Sequence, residues 1–104
     1  MVELIRDLEV ATEGSRELDG RVLQAVYPKA ERRHASWYID DIRIELEPFT
    51  TSLDAALTLV PEKCHWNVTG RNGARVGKVC ASGATPALAL CIAALKAQKE
   101  AHHE

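Results

Sequence analysis

The sequence predicts one small α+β domain, a mainly antiparallel sheet of three to four strands layered against about three helices. Three observations predict it. Two segments, Phe49–Pro61 and Ala84–Ala97, read as complete helices, each with its own start signal. A third helical pattern runs over Ser15–Val26. Around them lie short stretches rich in β-branched and aromatic residues, joined by turn chemistry, which is how hairpin-connected strands read. Hairpins carrying helices on one face make a layered α+β domain.

In chain order, Leu4, Ile5 and Leu8 give an apolar stripe to a short opening helix within Met1–Glu13, which Gly14 breaks. Ser15 is placed to cap the second helix, whose face carries Leu18, Val22, Ala25 and Val26. Glu17 and Asp19 suit the positive end of its dipole, and Pro28 ends it. Residues 29–35 read as a charged connector.

Trp37-Tyr38-Ile39 and Ile42–Glu47 have strand composition, with Ile42, Ile44 and Leu46 on one face and Arg43, Glu45 and Glu47 on the other. Asp40-Asp41 sits where the alternation changes phase, as a tight turn or a bulge would place it. Thr51-Ser52-Leu53-Asp54 matches a capping box in its looser form, and Leu53, Ala56, Leu57 and Val60 follow at helical spacing up to Pro61. Cys64–Thr69 and Arg75–Cys80 read as a hairpin around Gly70-Arg71-Asn72-Gly73. The last helix takes Thr85 as cap and Pro86 as its first residue. Its stripe is Leu88, Cys91, Ile92 and Leu95, and Lys96, Lys99, His102 and His103 gather at its negative end.

Length and composition set the bounds. At 104 residues the chain holds one modest core, and 46% hydrophobic with 27% charged residues is globular composition. No apolar run approaches the roughly 20 residues that cross a bilayer. The first residues carry charges where a secretory leader needs an apolar stretch, so a cytoplasmic protein is expected. Cys64, Cys80 and Cys91, an odd number without a CxxC pair, are expected to be free thiols. The net charge of −2 divides unevenly: residues 1–62 hold 13 acids against 7 Lys/Arg, and residues 63–104 hold 6 Lys/Arg against 2 acids.

Arg16-Glu17-Leu18-Asp19 before an amphipathic helix, Thr50-Thr51-Ser52-Leu53-Asp54-Ala55-Ala56, and Ala84–Lys96 occur in an order that resembles the phage "ABA sandwich" domain proteins. The resemblance covers roughly three quarters of the chain. It implies a three-layer α/β/α fold and a phage or prophage setting, and it brings no catalytic residues. Against it, His34–Glu47 is longer and more acidic than the family pattern, an acidic strand insertion. Strands with one polar face each fit two layers better than three.

Candidate chemistry is sparse. Cys64, His65, Cys80, Cys91, His102 and His103 have the donor types for zinc but not its spacing. Cys80, ahead of the last helix, has the placement of an activated thiol and no base in sequence reach. We therefore expect no catalytic set, no metal and no cofactor.

Binding is the better expectation. Carboxylates at alternate strand positions lie about 6.6 Å apart. Asp41, Glu45 and Glu47 on one exposed strand would thus make a row of negative charge able to occupy a basic groove. With Trp37, Asp40 and Arg43 they form the expected partner-binding set. The reading is a non-enzymatic, phage- or prophage-derived protein that binds a host protein or ribonucleoprotein. Its sharpest version is a defence inhibitor such as an anti-CRISPR acting on a Cas protein or complex. The alternative is a nucleic-acid-binding accessory protein using Arg71, Arg75 and Lys78 on the glycine-rich hairpin. Monomer and homodimer both remain open. Trp37 and Trp66 are expected as sheet anchors, and whichever is exposed becomes a candidate partner anchor.

Overall fold

In the computed structural model, which describes residues 2–60, 64–69 and 72–101, the chain is α+β with antiparallel strands. The order is α1 (Val2–Val10), α2 (Arg16–Val26), β1 (Glu31–Arg33), β2 (Ser36–Ile39), β3 (Ile42–Ile44), α3 (Leu53–Leu57), β4 (Trp66–Thr69), β5 (Gly73–Val76), β6 (Val79–Ser82) and α4 (Pro86–Ala101). The strands fall into two three-stranded meanders, β1-β2-β3 and β4-β5-β6, rather than one sheet.

α4 is the centre of the molecule. Thr85 Oγ1 accepts from the Leu88 N–H at 3.2 Å, and Pro86 opens the helix as its missing N–H allows. The expected stripe of Leu88, Cys91, Ile92 and Leu95 is fully buried, but so are Ala89, Leu90, Ala93 and Ala94. A helix buried all round has neighbours on every side. Here β5 and β6 lie against it, as do α1 and α3. The small alanines let those neighbours approach, while Leu88, Leu90, Ile92 and Leu95 each contribute about 1.5–3 kcal/mol of burial. The second sheet turns Arg75 and Cys80 outward to solvent, so among the described residues helices cover one of its faces.

Turn chemistry explains where the strands stop. Asp40 and Asp41 both have positive φ (52° and 66°) between paired Ile39 and Ile42, the pattern of a two-residue type I′ hairpin turn, so the open choice resolves as a turn. Gly77 (φ 60°) with Lys78 closes a second tight hairpin, because glycine enters the left-handed region without cost. The expected single strand Arg75–Cys80 is therefore two strands folded back. The residues read as a charged connector contain β1, whose Arg32 pairs opposite Trp37.

Boundaries shift in three further places. α1 ends at Val10 instead of Glu13, with the Ala11 N–H closing the last turn on Asp7 O. β3 ends at Ile44 rather than Glu47, because Leu46 O accepts from Arg16 Nη2 (2.8 Å) instead of a strand neighbour and Pro48 follows. Ser52, not Thr51, caps α3, accepting from the Ala55 N–H, and the helix is only five residues long. Pro61, Gly70, Arg71, His102 and His103 lie outside the described residues.

Candidate binding surface

Ser15 caps α2 by accepting from the Leu18 N–H, and this fixes the first turn beside the segment Pro48–Ser52. Asp19, fully buried on that turn, accepts from the Thr50 N–H (2.8 Å), the Thr50 hydroxyl (2.6 Å) and Arg16 Nη1 (3.2 Å). Thr50 Oγ1 in turn accepts from the Ser15 N–H at 3.0 Å. A buried carboxylate is stable only when its lone pairs are used in this way. From below, Cys91 Sγ donates to Phe49 O at 3.0 Å, and burial pushes its thiol up to about 12, with the Asp19 charge adding to the shift. The segment from Glu45 to Ser52 is thereby pinned between α2 and α4, and an open depression lies on each side of it.

The first depression is a cleft of about 910 Å³ between α2 and the first sheet. Arg16, Arg21, Arg32 and Arg43 line it, with Glu17 and Glu45. Trp37 and Gly20 form part of its floor, and the closeness is such that a Cβ on Gly20 would stand 2.8 Å from Trp37 Cζ2. The glycine is what lets the indole lie on the helix. The second is a groove of about 700 Å³ bounded by α2, β3 and α3. Its walls include Leu23, Val26, Tyr27, Ile39, Phe49 and Leu59, and its charged lining among the described residues is Glu45, Glu47 and Asp54, with no cation.

The outer face of the first sheet carries a third arrangement. Arg33 donates to Glu31 Oε2 (2.7 and 3.0 Å) and to Asp41 Oδ1 (2.7 Å), and its guanidinium sits 5.1 Å from the centroid of the Tyr38 ring. The hydrogen bond to Asp41, then that to Glu31, raises Arg33 above its ordinary value.

The expected partner-binding residues lie on the first sheet and the segment that follows it, and they do not form one row. Asp40 is exposed in the turn and Asp41 is committed to Arg33. Arg43 lines the arginine cleft, Glu45 lines both depressions, and Glu47 lines the acidic groove. The evenly spaced carboxylate strand does not form, because β3 stops short of Glu45. Trp37 is half-buried as a sheet anchor, whereas Trp66 is 48% exposed on the edge strand β4. Of the nucleic-acid alternative, Arg71 lies outside the described residues, Lys78 sits exposed in the Gly77 turn, and Arg75 donates from Nε to Gly77 O at 3.0 Å.

Sequence reasoning missed the contributions of Arg16, Arg21, Asp19 and Thr50. A signal existed: Arg16, Gly20, Arg21 and Gln24 share one helical face, polar and with a gap at its middle. Among the described residues no group of three His, Cys, Asp or Glu is placed to hold a metal ion, and no helix is long and apolar enough to cross a membrane. No family model, curated protein or solved structure matches the chain.

Proposed function

We propose that this protein acts by binding a partner protein through the acid-rimmed groove, without transforming it. The observation that carries this reading is the groove's lining: apolar walls from α2, β3 and α3, and three carboxylates with no cation beside them among the described residues. An apolar floor contributes affinity by burial, and a one-signed rim selects the approaching charge and speeds its arrival. The partner that fits is a segment with an apolar face flanked by lysine or arginine. Basic surfaces of that kind occur on proteins that hold nucleic acid. Together with the phage-family resemblance, this supports a host defence component, such as a Cas protein or complex, as the partner, and an anti-CRISPR as the role.

Two measurements test it. A helical peptide of alternating leucine and lysine faces should bind with an affinity that falls as salt rises, and Glu47→Lys with Asp54→Lys should weaken it at least about tenfold. Equal binding of a leucine–glutamate peptide would remove the groove. For the defence role, plaques are counted on hosts with active CRISPR immunity expressing the protein or the charge-reversed pair. Unchanged restriction across CRISPR types would overturn the anti-CRISPR reading and leave the peptide result standing by itself.

A further inference from the structure

Half of the chain's eight arginines line one cleft, and none of its described lysines does. We infer that this cleft binds a phosphorylated aromatic small molecule of the nucleoside diphosphate class. Arginine in place of lysine matters chemically. A guanidinium is planar, weakly hydrated and able to meet a phosphate with two parallel N–H groups, and it also stacks on aromatic planes.

Two of the four are held in place before any ligand arrives. Arg16 is fixed by buried Asp19 and by Leu46 O, and Arg21 by Asp7 Oδ2 at 2.6 Å. Each guanidinium carries five N–H groups, so donors remain for a ligand. Arg32 and Arg43 have no hydrogen-bond or ion-pair partner among the described residues. Arg32 supplies unmatched charge on the Trp37 face, and Arg43, opposite Tyr38 in register, borders the cleft from the other face of the sheet. Trp37 stands beside Arg32 in strand register, which puts a flat apolar surface next to a cation. A base on the indole with its phosphates among the arginines uses both at once. Glu17 and Glu45 then serve as acceptors for a base amino group or sugar hydroxyls.

Size and charge argue for a small molecule. A volume of about 910 Å³ is in the range of ligand sites, roughly 300–1,000 Å³. A continuous phosphate backbone would have to pass the same two glutamates, where each phosphate meets a like charge. A diphosphate places two or three charges among the arginines and keeps its uncharged part near the carboxylates.

The test uses Trp66→Phe protein, in which Trp37 is the remaining indole, and follows its emission while ADP, GDP, CDP, UDP, pyrophosphate or adenosine is added. At least one diphosphate should give a saturable change, tighter than pyrophosphate and tighter than adenosine. Arg32→Gln with Arg43→Gln should weaken that binding at least about tenfold with an unchanged melting temperature. Calorimetry on Arg43→Gln alone gives the same comparison should the double variant melt early. Charge reversal at Glu47 and Asp54, which lie in the other groove, should leave nucleotide binding intact. No saturable response to any nucleotide would overturn the inference. So would equal binding of pyrophosphate, or tighter binding of a short oligonucleotide than of its own mononucleotides.

Discussion

Asp19 Oδ1 takes both the backbone N–H and the hydroxyl of Thr50, at 2.8 and 2.6 Å, with the carboxylate wholly out of solvent. One residue of α2 thereby satisfies the polar groups of a segment 31 positions away. That segment is the ridge between the two depressions, so both candidate sites rest on this pair.

Removing the pair should be costly. Asp19→Ala strands the Thr50 N–H and hydroxyl in the interior and frees Arg16 from its anchor, a loss of about 3 kcal/mol. Thr50→Val keeps the shape and loses the hydroxyl, which should cost roughly 1–3 kcal/mol. Urea unfolding measures both, and a change within error for either would show that the ridge is held by packing alone.

Gly20→Ala sets two effects against each other. Alanine in a helix interior gains up to about 1 kcal/mol over glycine, but the added methyl would meet Trp37 Cζ2 at 2.8 Å. Overpacking of this kind costs about 1–3 kcal/mol. The sum predicts a net loss on the order of 1 kcal/mol, together with a shift of Trp37 emission as the ring moves. A variant with a raised melting temperature and unchanged emission would show that the first sheet slides away freely.

The thiol of Cys91 gives a pH dependence with a defined sign. Its value rises from the ordinary 9.0 to about 12 on folding, chiefly through burial. Below pH 9 both folded and unfolded chains hold the proton, and nothing changes. Between pH 9 and 12 only the unfolded chain releases it, so stability should fall on the order of 1 kcal/mol per pH unit. Cys91→Ala should flatten that slope in urea titrations at pH 9 and 10. In the same spirit, iodoacetamide at pH 8 should modify exposed Cys80 readily and Cys91 only after denaturation, as mass spectrometry of the peptides would show.

The basic hairpin is expected to contribute little to nucleic-acid binding. Arg75 is turned onto Gly77 O in the turn that follows its strand, and Lys78 is exposed in that turn. A gel-shift titration across salt should give no steep dependence, and Arg75→Ala with Lys78→Ala should leave it unchanged. Tight binding at low salt that the pair abolishes would restore the nucleic-acid reading.

Helices were legible in the sequence wherever a cap and a period coincided, as at Ser15 and at Thr85-Pro86. Ser52 was misplaced by one residue because Thr51 and Ser52 are equally good caps, and only the backbone decides between them. The all-round burial of α4 was hidden for a different reason: alanine suits a surface and a close-packed core alike. Strand ends proved least readable. β3 is cut short by Arg16, a residue 30 positions from the carbonyl it binds, and no local pattern carries that information. The sites were opaque for the same cause. Glu45 and Glu47 looked like neighbours on a strand, yet what they face depends on where α2 and α3 come to lie.

The position of α4 in chain order has a consequence for how the protein is made. On the ribosome every other described element emerges before α4, the helix on which α1, α3, β5 and β6 pack. Leu4, Val76 and their neighbours must therefore wait, wet and unburied, for residues 86–95 to clear the exit tunnel. A stall or truncation before that point would leave the residues that pack on α4 without their central neighbour, a chain for chaperones and proteases to deal with.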